Sequence, residues 1–236
     1  MKVLYIIILC YLCVIICQSA ASVNNPEQSP STCISCYYFA DKNLGQILNI
    51  IMNSGVVGDC SGLCSYLPSK KQQAGCMDYC QESSGISNFV KAAIQCDMDS
   101  VYFCELINQC DFIPNGDATI KTAEVSRIDQ VNDKASLSVT VDTTRGTGAG
   151  EILVEIQTGR GGIPRGIHYP VTSTRPGEHH YAIPIDTGVN ITCNQTNTCI
   201  NSSTTYTMTI SVCSCSCGSH HDRSQLYDQK KLTVTF

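Results

Sequence analysis

The hydrophobic pattern along the chain changes period near its middle. In the first part, Tyr37, Ala40, Leu44, Ile47/Leu48 and Ile51 recur three and four residues apart, the spacing of one helix face. Ile86, Phe89/Val90 and Ala93/Ile94 repeat that spacing, and Val101, Cys104 and Ile107 predict a last helix. Gly55, Gly58, Pro68 and Gly85 punctuate between these runs. The expectation is four or five short helices and no strand. From about residue 118 the period is two. Leu137, Val139 and Val141 share one face, as do Ile152, Val154 and Ile156, then Tyr206, Met208, Ile210 and Val212, and finally Leu232, Val234 and Phe236. Threonine-rich runs separated by glycine turns (Gly146-Thr-Gly148, Gly159-Arg-Gly161-Gly162) predict six to eight strands in a sandwich. The fold class is therefore α+β in separate domains: a helical domain over 29–113 and a β-sandwich-like domain over 118–236, with Ile113 to Asp117 as the linker.

The amino-terminal residues 1–21 belong to neither pattern. Lys2 precedes an apolar run from Val3 to Cys17, and the small residues Ser19-Ala20-Ala21 follow. A positive start, about 15 apolar residues and a small-residue exit read as a secretory signal peptide. A spanning helix would need about 20 apolar residues. Secretion to an extracellular, oxidising medium changes how the cysteines are read. Of 17 cysteines, Cys10, Cys13 and Cys17 fall in the signal, which leaves an even number for disulfides. Three glycosylation sequons, at Asn190, Asn194 and Asn201, fit the same route. The net charge is −5 and no basic stripe exists, so nucleic acid is not an expected partner. The chain has no tryptophan and 5 phenylalanines, so neither core is large and disulfides should add what burial lacks.

In the helical half, Cys33-x-x-Cys36 opens the unit, Cys64 and Cys76 sit in the middle, and Cys104 and Cys110 close it. This string resembles the saposin-like (saposin B-type) family over about 80 residues. The resemblance implies the pairs Cys33–Cys110, Cys36–Cys104 and Cys64–Cys76. The sequence adds Cys60-x-x-x-Cys64 and Cys76-x-x-x-Cys80, thiols one turn apart on two consecutive helices. Antiparallel helices would align Cys60 with Cys80 and Cys64 with Cys76. Cys96 is left over, as is one of Cys193, Cys199, Cys213, Cys215 and Cys217, so an inter-domain disulfide from Cys96 is expected; a free or intermolecular thiol is the alternative.

Saposin-like units present amphipathic helices that either close on themselves or open onto lipid, and both readings stay open here. Between Ser31 and Ile113 there are four lysines and eight acidic residues, which disfavours a cationic membrane killer. A signal peptide, one saposin-like unit and a threonine-rich, glycosylatable β-half together resemble the countin family of social amoebae. That resemblance implies a secreted, non-enzymatic glycoprotein within an extracellular complex that regulates cell-group size. Its expected partners are other secreted proteins and a lipid or membrane surface. The alternative is a lipid-binding or membrane-perturbing, pore-forming effector.

Other motifs carry less. In Cys213-Ser-Cys215-Ser-Cys217-Gly-Ser-His220-His221, alternate cysteines on a strand would share a face with zinc-like donors, but an oxidising medium favours disulfides, and no metal or cofactor is expected. His179 and His180 are strand neighbours and point to opposite faces. Arg160 and Arg165 flank a glycine loop that reads as solvated before it reads as an anion site. Asp97 and Asp99 read as caps of the last helix, and no catalytic constellation is found.

Overall fold

The apolar spacing of the first segment produces one helix, α1 (Pro30–Ser54), rather than a short one. Gly45 does not break it, and the methyl of Met98 lies 3.4 Å from where a Cβ at that glycine would stand. The structure, a computed structural model, describes residues 30–54, 58–129, 134–158, 164–172, 174–186 and 205–235. The signal segment 1–21, Asn190, Asn194, Asn201, Cys193, Cys199 and Arg160 lie outside the described residues.

Four shorter helices follow: α2 (Cys60–Cys64), α3 (Lys70–Glu82), α4 (Ile86–Gln95) and α5 (Ser100–Leu106). Their starts are set by side chains that satisfy first-turn amides. Asp59 accepts from Gly62 N at 2.6 Å before α2. Ser69 and Gln72 form a reciprocal capping box before α3. Asp99 accepts from Val101 N and Tyr102 N, at 2.8 and 2.9 Å, before α5. The buried stripe of α1 (Tyr37, Ala40, Leu44, Ile47) packs with Leu63, Phe89, Ala93, Phe103 and Ile107 around one core. Phe89 and Phe103 meet edge to face at its centre, with ring centroids 5.4 Å apart. The other end of the α4 pattern turns outward: Ile94 is 61% exposed.

Disulfides frame this core. Cys33 is joined to Cys110 and Cys36 to Cys104, so α1 is stapled to α5 and the turn after it across 77 and 68 residues. Cys60–Cys80 and Cys64–Cys76 form a nested pair between α2 and α3. In the chain-entropy account each long closure contributes about 4 kcal/mol and each short one about 3 kcal/mol.

The second region is antiparallel throughout. One sheet has the order β1 (Thr119–Asp129), β2 (Lys134–Thr143), β5 (Gly177–Asp186). The other has the order β4 (Arg165–Val171), β3 (Gly150–Thr158), β6 (Thr205–Cys213), β7 (Leu226–Thr235). Leu137, Val139 and Val141 of the first sheet bury with Ile183 and Ile185 against Ile152, Val154, Met208 and Ile210 of the second. The period-two pattern thus encloses one core between two sheets. Along one side the sheets are tied by Asp228, which accepts from Ile120 N at 2.8 Å, and by Lys230, which donates to Lys121 O at 3.1 Å. On the other side the outer strands β4 and β5 carry Pro170 and Pro184, residues that cannot donate to an added strand.

The segment between the two regions is seated rather than loose. Asp117 accepts from Thr143 Oγ1 at 3.0 Å, from Thr144 N at 3.1 Å and from Arg145 N at 2.8 Å, as well as from the Thr144 hydroxyl. Ala149 N donates to Asp111 O at 2.8 Å. Gly146 is required in this turn: its φ is +89°, and a Cβ there would lie 2.5 Å from Thr174 O.

Replacing Cys60 and Cys80 together by serine should lower the unfolding free energy by about 3 kcal/mol. A denaturant titration checks this, and an unchanged midpoint would mean that Cys60–Cys80, the outer bridge of the nested pair, adds nothing to Cys64–Cys76.

The inter-domain polar clamp as candidate functional site

The most concentrated polar chemistry lies where α5 meets the segment between β6 and β7. It begins with a residue that the sequence assigns to helix capping. Asp99 is the N-cap of α5, and its side chain is 0% exposed. One carboxylate oxygen, Oδ1, accepts from Val101 N, from Tyr102 N and from Ser216 Oγ, the last at 2.9 Å. The other, Oδ2, accepts from Ser216 N at 3.0 Å, Ser219 Oγ at 2.6 Å and His221 Nε2 at 3.0 Å. Six donors therefore converge on one buried charge, two from the helical region and four from the β-region. Burial alone would raise the Asp99 pKa; the bonds from Ser219, Tyr102, His221 and Ser216 outweigh it and hold the carboxyl below its usual value.

His221 is fixed from three directions. Its Nδ1 accepts from Arg223 N at 3.3 Å, which assigns the ring proton to Nε2, facing Asp99. Its ring stacks on Tyr102, with centroids 4.0 Å apart. Arg223 lies over Tyr102 and Phe112, 5.3 and 4.5 Å from the ring centres, and donates to Glu105 Oε2 at 3.3 Å. A second carboxylate, Glu151, is 1% exposed, pairs with His168 and accepts from Cys217 N at 3.1 Å. The Glu151 hydrogen bond holds the His168 pKa above its ordinary value against the opposing effect of burial. Loop 214–221 is thus gripped by Asp99 from one region and by Glu151 from the other.

The sequence sets Cys213, Cys215 and Cys217 on one strand face ahead of His220 and His221, a zinc-like set for which disulfides are the favoured reading. Strand β6 ends at Cys213, and the following residues turn, so the alternation does not place three thiols on one face. Cys213 is bridged to Cys217, and Cys215 stays a buried thiol. The ligand atoms of Asp99, Cys215 and His221 do lie within 4.8 Å of one another. Their chemistry is already used, however. Both nitrogens of His221 are engaged, the Asp99 oxygens each accept three bonds, and burial pushes the Cys215 thiol up, away from the thiolate a metal needs. The arrangement is a structural clamp.

The inter-domain disulfide expected from Cys96 would need a partner from the β-region, and Cys215, the other unbridged thiol among the described residues, is buried in the same cluster. Cys96 is an unbridged, buried thiol, and its Sγ donates to Ala93 O at 3.2 Å inside the helical core. Burial pushes its pKa up to about 12. Among the described residues the two regions are tied by hydrogen bonds to a charge. Of the other residues singled out, His179 Nε2 meets Arg175 O at 2.8 Å and His180 Nδ1 meets Thr140 Oγ1 at 3.0 Å, separately and on adjacent positions of β5. Arg165 is exposed at the start of β4. Ser216, Ser219, Arg223, Glu105 and Glu151 were not legible as site residues. Serine in a loop gives no signal, and Glu151 and Glu105 read only as strand and helix polar positions.

A disulfide-linked helical region clamped through a capping aspartate to an antiparallel β-region defines the class of this protein. Residues 31–108 match the Countin N-terminal domain, and residues 118–236 match the Countin C-terminal domain. The chain belongs to the countin family. It is similar to Countin-1 of Dictyostelium discoideum, 30% identical over 129 residues that cover 54% of this chain and 50% of that protein. Countin-2 of the same organism is 29% identical over 164 residues, 67% of this chain and 63% of that one. Countin-3 is 26% identical over 140 residues, 59% and 63% of the two chains. The chain thus spans 50% to 63% of the length of these curated relatives. The boundary between the two matched domains falls where helices give way to strands, and Asp99 and its partners sit on opposite sides of it.

Replacing Asp99 with Ala leaves first-turn amides and two serine hydroxyls unpaired and should cost about 3 kcal/mol. The pH dependence has a definite sign. A folded pKa below the unfolded 3.8 gives stability that is present above that value and lost as pH falls through the lowered one. Acid titration of the unfolding midpoint should show this loss in the native chain and a smaller loss in Asp99→Asn, where Asp117, whose carboxyl its hydrogen bonds also hold low, still contributes.

Proposed function

We propose that this protein is a secreted, non-enzymatic glycoprotein of countin type, a component of an extracellular complex that regulates cell-group size. The carrying observation is that both countin domains are present in order and are docked on one another through Asp99. The relatives' shared name supports the countin assignment. The signal-like segment 1–21, the sequons at Asn190, Asn194 and Asn201, and the disulfides support the secretory route. No helix among the described residues is long and apolar enough to cross a membrane. A non-enzymatic role is consistent with the Asp99–His221 pair, whose donors and acceptors are spent on the clamp.

Within this role the helical region is saposin-like and supplies the binding surface. Its bridges run from the first cysteine to the last and nest inward, as the saposin resemblance implies. A specific observation keeps lipid as a partner: Met52, Ile94 and Met98 are 81%, 61% and 58% exposed on the helical unit, which also exposes Tyr38, Tyr66 and Phe112. Other secreted proteins could cover the same side chains, and a membrane-perturbing effector is the second reading.

Size-exclusion chromatography of the protein in its native secretion medium should place it in an assembly larger than a monomer; elution as a monomer contradicts the complex. Vesicles of mixed anionic and neutral lipid, tested from about pH 4 to 7, separate the two readings. Contents leakage would favour the effector. Absence of both leakage and lipid uptake would leave proteins as the partners of Met52, Ile94 and Met98.

A further inference from the structure

Glu105 is the one member of the clamp that is not fully satisfied. Its side chain is 1% exposed, yet Oε2 has a single bond, to Arg223 at 3.3 Å, and Oε1 is buried with no partner among the described groups. Arg223 is itself 36% exposed and shares its charge with the rings of Tyr102 and Phe112. A charged carboxylate with a bare buried oxygen is costly, and a proton on it removes most of that cost. Undocking the 214–225 segment would let water solve the same problem with the carboxylate ionised.

We propose that the contact between α5 and the 214–225 segment is a proton-operated latch, closed while Glu105 is neutral and released when Glu105 ionises. Four groups face Glu105. Asp99, at the start of its own helix, is negative and opposes a second charge; Arg223, from the loop, is positive and favours one. Cys215, from the loop, and Tyr227, from β7, also feel Glu105. Burial pushes the Cys215 thiol up and the Tyr227 phenol up to about 12, so neither titrates near neutrality. Burial likewise raises the Glu105 carboxyl to about 8, against the lowering by the Arg223 bond and charge.

The sign follows from that direction. A folded pKa raised above 4.5 gives docking free energy that is fully present below 4.5 and is lost as pH rises through about 8. The population of the open latch should therefore grow about tenfold per pH unit across that interval and level off above it. Asp99 acts in the opposite sense at low pH, because its carboxyl must stay ionised to hold the six donors. The closed latch is favoured between these limits. Release would expose Tyr102 and the Cys215 thiol, changing the surface shown to a partner without breaking a disulfide.

Hydrogen exchange of the full chain between about pH 6 and 9, corrected for intrinsic exchange, tests this. The β3–β6 ladder serves as internal reference. The amides of the 214–225 segment should lose protection about tenfold per unit up to pH 8, and Glu105→Gln should remove that slope while leaving the ladder unchanged. A flat wild-type profile, or the same slope in Glu105→Gln, would overturn the latch. A second measurement needs no variant: the side-chain carboxyl resonance of Glu105 in the folded protein should titrate near pH 8. A midpoint at the ordinary glutamate value would equally refute it.

Discussion

A buried negative charge at the start of a helix has to be satisfied, and in this protein that requirement joins two regions. Asp99 first answers a local need, the free amides at the start of α5. A carboxylate has more acceptor capacity than two amides use, and the remainder is filled from Ser216, Ser219 and His221. Removing either set would leave a desolvated charge with too few partners. Helix capping and domain docking are therefore one interaction, and the stacked Tyr102–His221 pair is assembled around it.

How much of this was written in the residue pattern can be traced position by position. Helical spacing located Tyr37, Leu44, Ile47, Phe89 and Ala93 in the core, and period two located Leu137, Val139, Ile152, Val154 and Met208. Both signals depend only on which face of an element is apolar. Asp99 as a cap was legible for the same local reason. What was not legible is everything that depends on two elements meeting. Glu105 on α5 and Glu151 on β3 are polar residues at positions a lone helix or strand would leave in water, and they are buried because another region covers them. The Cys213–Cys217 bridge was hidden because the strand ends sooner than the cysteine alternation does. Counting cysteines led to an expected sulfur tie from Cys96, and the structure buries Cys96 and Cys215, the two unbridged thiols among the described residues, in one cluster.

The nature of the tie decides how the two regions respond to their medium. A disulfide between the regions would fix their relation irrespective of medium. A clamp of hydrogen bonds to charges is strong when dry and responds to protons and to competing partners. The staples inside the helical region, Cys33–Cys110 and Cys36–Cys104 with the nested pair, keep that unit intact whether or not the clamp holds. Rigid parts with a polar seat between them can expose a different face without unfolding. The exposed Met52, Ile94 and Met98 belong to the stapled part, so a surface built on them does not depend on the clamp.

A double-mutant cycle between Asp99 and Ser219 in the full chain tests most directly whether one carboxylate holds both regions. The two residues are 2.6 Å apart across the boundary. Asp99→Asn, Ser219→Ala and their combination, compared by denaturant unfolding, should give a coupling energy of about 1.5 to 3 kcal/mol, the worth of a hydrogen bond to a buried charge. Additive effects, with Ser219→Ala costing the same in both backgrounds, would contradict a clamp centred on Asp99.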